Sequence, residues 1–370
     1  MINNVLSEKM VNNEYIDEYE IKDYFDLQDI IQGRRNHIDL REKCIFRGVS
    51  RKCYKLIPSS IRGYDIKRYI DADYAPGIRI RKEDAQKLDL NTESMNDNEY
   101  EIFKLNKEYK FENGRLLNDP LSLNEFKALQ ELFVIFKFID NADKEGLKVP
   151  INQKIREKLH SPELGIPKWW PKNEYFEIIT LAQHYDLPTR ALDWSYDYKV
   201  SLYFAVKNIL TENNSKCYEN NDGLLWAFNY KYFQGPFLNP EDSFKLQFYR
   251  SEYYTNPNLN AQQGLFTFNI DTKWNCDKRP IDEMIIDELK RNKVESEEGV
   301  EYQIRGLPHF IIPEGEKIFY KFIIPEDKKA EILNQLYIEG YSEKKLFPGY
   351  KGVTSSIENK AKLDEILEKY

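Results

Sequence analysis

Cysteine is scarce in this 370-residue chain: Cys44, Cys53, Cys217 and Cys276 include no CxxC pair. That excludes a zinc-ligand pattern and a disulfide framework, and a reducing cytosol is the simplest home. Histidine is as thin. His37, His160, His184 and His309 form no HExxH, and His184 has no second His at ligand spacing, so no metal is expected. A GxSxG elbow, a Walker loop and a dinucleotide-type GxGxxG are also missing, which disfavours standard hydrolase and NTPase chemistry. No apolar run approaches the roughly 18 to 20 residues of a spanning helix. The opening MINNVLSEKMVNNEYIDEYE has no basic region followed by an apolar core, unlike a signal peptide. The expectation is a cytoplasmic protein without membrane contact.

Positive charge is also in deficit, with 54 Lys and Arg against 62 Asp and Glu and a net charge of -8. The overall field opposes phosphate backbones, which counts against general nucleic-acid binding. Hydrophobic residues at 41% and charged ones at 31% are nonetheless those of a folded chain. What is abundant is aromatic: 26 Tyr and 21 Phe suit strands and large-side-chain cores, and they offer ring faces to a ligand.

Periodicity predicts a first amphipathic helix over Glu18 to Arg35, then a strand at KCIFRGVS. In that strand Cys44, Phe46 and Gly48 face one way, and Ile45, Arg47 and Val49 the other. Asp71 to Pro120 is charged and without sustained period, and reads as an insertion. Helical spacing returns over Asn124 to Asp140 and from Glu174 to about His184. Pro188 then forces a turn, since it drives Leu187 out of the helical region. The next helix carries Val200, Tyr203, Phe204 and Lys207 on one stripe, with Ser195 as its N-cap and Asp193 at its start. GLLWAFNY, GLFTFNI and KIFYKFIIP read as strands. A helix from about Glu326 to Glu339 stops at Gly340, and a last one begins near Ser355. The fold class expected is α+β, a mostly antiparallel sheet core flanked by helices.

Six blocks in order carry a family likeness: FRG (Phe46 to Gly48), LIPSSIRG (Leu56 to Gly63), AQHYDLPTRALDWS (Ala182 to Ser195), LYFAV (Leu202 to Val206), AQQGLF (Ala261 to Phe266) and LFPGYKG (Leu346 to Gly352). Together they resemble the FRG domain family. The resemblance implies a single FRG-type domain over residues 1–370, with its core at roughly 20–360 and the insertion near 71–120. It departs from the pattern at Asn258, where family members often carry an Arg; that charge is either absent here or supplied from elsewhere, as by Arg250. The family is associated with bacterial and phage genes near defence or toxin functions. Its early Arg-Gly strand looks like the first motif of ADP-ribosyltransferases, a fold-level analogy.

On that resemblance the leading expectation is a protein that binds NAD and transfers ADP-ribose to a macromolecular acceptor, a protein, with a neutralising partner left open. Arg47 would clamp phosphate or ribose beside Gly48, and Ser59 and Arg62 would add anion contacts. Gln183 and His184 would orient the ribose, Tyr185 would stack on nicotinamide, and Thr189 and Arg190 at the turn would hold pyrophosphate. For the carboxylate that stabilises a ribosyl cation three readings stand: Gln263 orients the ribose without full charge, Glu252 supplies the charge from another loop, or no such reaction is catalysed. The expectation has a spatial core, that the Arg47 guanidinium and the His184 imidazole meet in one concave pocket. A structural reading competes residue by residue: Asp193 as a cap, Arg190 paired with Asp193, Trp194 in the core. The alternative function is a noncatalytic nucleotide- or partner-sensing module. A third, a nuclease using Glu177, Asp186 and Asp193, matches no strong metal spacing.

Overall fold

A computed structural model of the chain describes residues 9–62, 79–81, 100–102, 123–160, 170–211, 221–235, 244–252, 257–271, 278–296 and 299–369. Most of the insertion read at Asp71 to Pro120 lies outside these residues.

Alternating apolar segments build one large sheet. Its strands are β1 (Lys9–Asn12), β2 (Ile16–Glu20), β3 (Cys44–Val49), β6 (Ala191–Ser195), β7 (Gly223–Asn229), β8 (Leu246–Tyr249), β9 (Gly264–Asn269) and β13 (Phe319–Ile324). They lie in the order β1-β2-β13-β7-β3-β6-β9-β8. Every neighbouring pair is antiparallel except β2 with β13. Two small ladders stand apart, β4 (Arg79–Arg81) with β5 (Tyr100–Ile102), and β10 (Lys293–Ser296), β11 (Gly299–Tyr302) and β12 (Phe310–Ile311). The α+β class expected from the sequence is therefore the one found.

The period-two alternation sends each strand's side chains to opposite faces. On one face Phe46, Leu225, Ala227, Tyr320 and Phe322 bury against α1 (Tyr24–Ile31), α6 (Tyr198–Val206), α9 (Lys329–Ile338) and α11 (Tyr350–Leu367). Further along the same face Ala191, Phe266 and Phe268 meet a second cluster from α3 (Leu123–Lys144), α4 (Gln153–His160) and α5 (Phe176–His184). There Phe176 stacks on Phe268 with centroids 4.1 Å apart. On the opposite face Ile45, Val49, Leu192, Trp194 and Trp226 pack with α8 (Ile281–Arg291). Each such side chain contributes about 1.5–3 kcal/mol when fully buried. No helix among the described residues is long and apolar enough to cross a membrane.

Helix boundaries follow their caps. The first helix is shorter than Glu18 to Arg35: Glu18 lies in β2, and α1 starts where the Asp23 carboxylate accepts from Asp26 N at 2.8 Å. Asp39 caps α2 (Leu40–Lys43), which runs directly into β3. Gly340, at φ 85°, ends α9 as its αL-compatible position requires. The last helix starts at Tyr350, before the expected Ser355. Gly349 at φ 131° turns the chain there, and a Cβ on Gly352 would sit 1.9 Å from Phe347 O, so only glycine lets the first turn close on α10 (Glu343–Leu346).

Ala191–Ser195 is a strand, not the start of a helix. Ser195 therefore is not the N-cap of α6; Asp197 is, accepting from Lys199 N at 2.9 Å. β6 pairs with β9 along its whole length, and β3 pairs with β7 along its own, but β3 and β6 meet only at Phe46↔Ser195. The sheet is thus continuous in order but nearly unpaired at one seam.

Candidate functional site at the seam of the sheet

The Pro188 turn delivers its polar groups to this seam. α5 ends at His184, Asp186 takes φ 65°, and Leu187 N closes back on Ala182 O at 3.1 Å. Thr189 follows, buried, with its hydroxyl donating to Gln183 Oε1 at 2.5 Å and accepting from Ala191 N at 3.2 Å. Gln183 Nε2 donates to Asp193 Oδ1 at 3.2 Å. Across the gap, Ser59 Oγ donates to Thr189 O at 3.2 Å and accepts from Thr189 N at 3.0 Å, while Ser60 N reaches Thr189 O at 3.1 Å. The IPSS loop is stitched to the turn, and Arg62 rides on its end.

Arg47 reaches the same place from β3. Its Nη1 donates to Asp193 O at 2.6 Å and to Asp193 Oδ1 at 2.5 Å, and its Nε is buried with no partner among the described residues. Burial pushes the Asp193 carboxyl up, but the charge and hydrogen bond of Arg47, with Arg62 behind, outweigh it and hold the group below the usual carboxylate value. Yet 59% of that side chain is open to water, against 12% for Arg47. The carboxylate is thus ionised and reachable from water at the seam. Burial, then the neighbouring Arg47 charge, lowers the pKa of Arg62, with Asp193 opposing. Lys207 also feels Asp193; burial is the main influence lowering its pKa, and its Nζ lies 4.7 Å from the Phe204 ring centroid. Arg47 binds the carboxylate and the charge of Arg62 acts on it from further off, so two cations stand against one carboxylate at the seam.

Comparison with known families bears on this seam directly: residues 140–214 match the family model of the FRG domain. The chain carries an FRG domain. No curated protein and no solved structure matches it. The matched FRG segment contributes α5, β6 and α6, and hence Gln183, Thr189, Asp193 and Lys207. The tripeptide Phe46 to Gly48 lies outside it and is brought onto it by the Arg47 bond to Asp193.

Not every expected site residue converges on the FRG cleft. Arg190 does not face a ligand and does not pair with Asp193. It is 1% exposed, its Nε donates to Glu131 Oε2 at 2.8 Å and its Nη2 to Glu131 Oε1 at 3.2 Å, and Trp170 Nε1 donates to the same carboxylate at 2.7 Å. Gly48 serves packing: a Cβ there would lie 1.7 Å from Ser201 O, so its bareness lets α6 approach β3. His184 does not meet Arg47. Neighbours on a helix point about 100° apart, so Gln183 turns to Asp193 while His184 Nε2 lies 2.8 Å from Asn258 Nδ2. With the amide donating, that nitrogen carries no proton, in keeping with a pKa lowered by burial despite Asp186. Asn258 sits in α7 (Pro257–Ala261), so the departure from the family pattern is where the imidazole is held.

Tyr185, 66% exposed, stands edge-on to His184 at 5.2 Å. Gln263, at φ 47°, is at the far end of β6 from Thr189, its carbonyl accepting from Tyr196 N at 3.1 Å. Glu252 is exposed and follows Ser251, whose hydroxyl donates to Glu177 Oε1 at 2.5 Å. Arg250 is exposed, and its charge acts on Tyr196, whose hydroxyl burial pushes up to about 12. Among the described residues no three His, Cys, Asp or Glu side chains group to hold a metal, and Glu177, Asp186 and Asp193 do not gather as one. Local pattern missed Asp193 as the partner of Arg47. The signal was a lone charge in the middle of an otherwise buried five-residue strand, ALDWS.

Proposed function

We propose that the seam cleft binds NAD and that the protein transfers ADP-ribose from it to a macromolecular acceptor, in a defence or toxic role. The observation that carries this reading is the bond of Arg47 to the carboxylate of Asp193, on which the charge of Arg62 also acts. Two guanidiniums suit a pyrophosphate, and the unpartnered Arg47 Nε offers a donor without breaking the bond to Asp193. Gln183, whose amide donates to Asp193, would orient a ribose hydroxyl, with the buried Thr189 holding that amide in place. Asp193, rather than Glu252 or Gln263, is the carboxylate beside the guanidiniums, and it stays ionised as a ribosyl cation stabiliser must. In the reaction the C1′–N bond to nicotinamide breaks and its electron pair leaves with nicotinamide, which departs neutral. The acceptor nucleophile bonds to C1′ and its proton passes to solvent.

The test is nicotinamide release and label transfer from NAD by the purified full chain, with a cell lysate as acceptor. Asp193→Asn should lower turnover by about 100-fold or more while NAD still shifts the melting temperature. NAD binding without turnover in any lysate would make the site a noncatalytic nucleotide module, and absence of both binding and turnover would end the NAD reading.

A further inference from the structure

A cavity opens beside the loop that joins β3 to Arg62. Its volume is about 420 Å³, within the roughly 300–1,000 Å³ of small-molecule sites. Four cations line it, Arg51, Lys329, Lys362 and Lys369, against two carboxylates, Glu326 and Glu365. Lys329 is the unusual member, because it is only 1% exposed. Its ammonium donates to Ser50 O at 2.8 Å and Asn208 Oδ1 at 3.0 Å. An ammonium has three donors, so one remains without a partner among the described residues. Ile209, Leu210 and Ile366 give one wall an apolar character, and Tyr54 adds a ring.

We propose that this cavity binds a small organic phosphate of mononucleotide size, its phosphate on Lys329, Arg51 and Lys362 and its ring against Tyr54 and the aliphatic wall. Burial lowers the Lys329 pKa to about 8, with Glu326 and Asp222 pulling the other way. An incoming phosphate supplies the counter-charge that burial denies it. The same loop that lines this cavity with Ser50, Arg51 and Tyr54 ends in Ser59 and Arg62 at the seam. One loop thus serves both sites, but this proposal does not rest on the NAD reading.

The test is titration calorimetry of the full chain with AMP, adenosine and inorganic phosphate. AMP should bind, with adenosine and inorganic phosphate each at least about tenfold weaker. The double charge reversal Lys362→Glu/Lys369→Glu, at outer positions of α11 and its end, should weaken AMP at least about tenfold, while Arg47→Ala leaves it unchanged. Lys329→Met should do the same as the charge reversal if its melt shows it folded. Absence of AMP binding up to roughly millimolar, equal binding of adenosine or of phosphate alone, or AMP binding lost in Arg47→Ala but kept in the charge-reversed protein would each overturn the assignment.

Discussion

Arg47 Nη1 is bound to both the backbone carbonyl and the carboxylate of Asp193, 146 positions away in the chain. One residue belongs to β3 and the other to β6, and the two strands share only the Phe46↔Ser195 pair. The Arg of the FRG tripeptide is thus tied to the matched FRG segment by side-chain chemistry where the backbone ladder is missing.

Gly48, the next residue, makes a prediction of its own. A methyl there would lie 1.7 Å from Ser201 O and 2.8 Å from Ala205 N, with helix backbone that cannot yield cheaply. Gly48→Ala should cost about 3 kcal/mol or more, seen as a large drop in melting temperature. An unchanged melt would refute the packing role and return this glycine to the ligand.

The buried pair of Arg190 with Glu131 should behave as a stability element apart from the cleft. Glu131→Ala strands a guanidinium and the Trp170 indole N–H, and should destabilise by about 3–5 kcal/mol in urea unfolding. Replacing both partners by Met should recover much of that loss, because no uncompensated charge is left inside. A double variant as unstable as the single one would contradict this account.

Acid stability should report the Asp193 environment. Its folded pKa lies below the unfolded one, so between the two the unfolded chain holds more protons and stability rises with pH. The contribution is complete above about pH 4, the unfolded value, and is lost as pH falls through the folded value. Asp193→Asn should flatten the acid limb of the melting-temperature profile. Arg47→Ala should flatten it too, since Arg47 is the chief charge that lowers the pKa. A profile as steep in both variants as in the parent would show that this pair is not linked to folding.

The sheet was largely legible because alternation over CIFRGV, GLLWAFN, GLFTFN and FYKFII is a local signal that the fold keeps. β6 was not, because in ALDWS both Asp193 and Ser195 are good helix caps, and only pairing with β9 makes the segment a strand. The cap that wins, Asp197, lies two residues on. Within the site, Arg47, Ser59, Arg62, Gln183 and Thr189 could be picked out by type. Their partners could not, since Arg47 and Asp193 are 146 positions apart and nothing local announces the pair. His184 and Gln183 look equivalent as adjacent letters, and only helical rotation separates their destinations.

The near absence of ladder hydrogen bonds between β3 and β6 gives Arg47 a double duty. It ties β3 to β6 where the ladder lapses, and its buried Nε is a donor left over for an anion. An anion that engages the buried Nε leaves the bond to Asp193 in place, so its binding and the cohesion of β3 with β6 are one linked equilibrium.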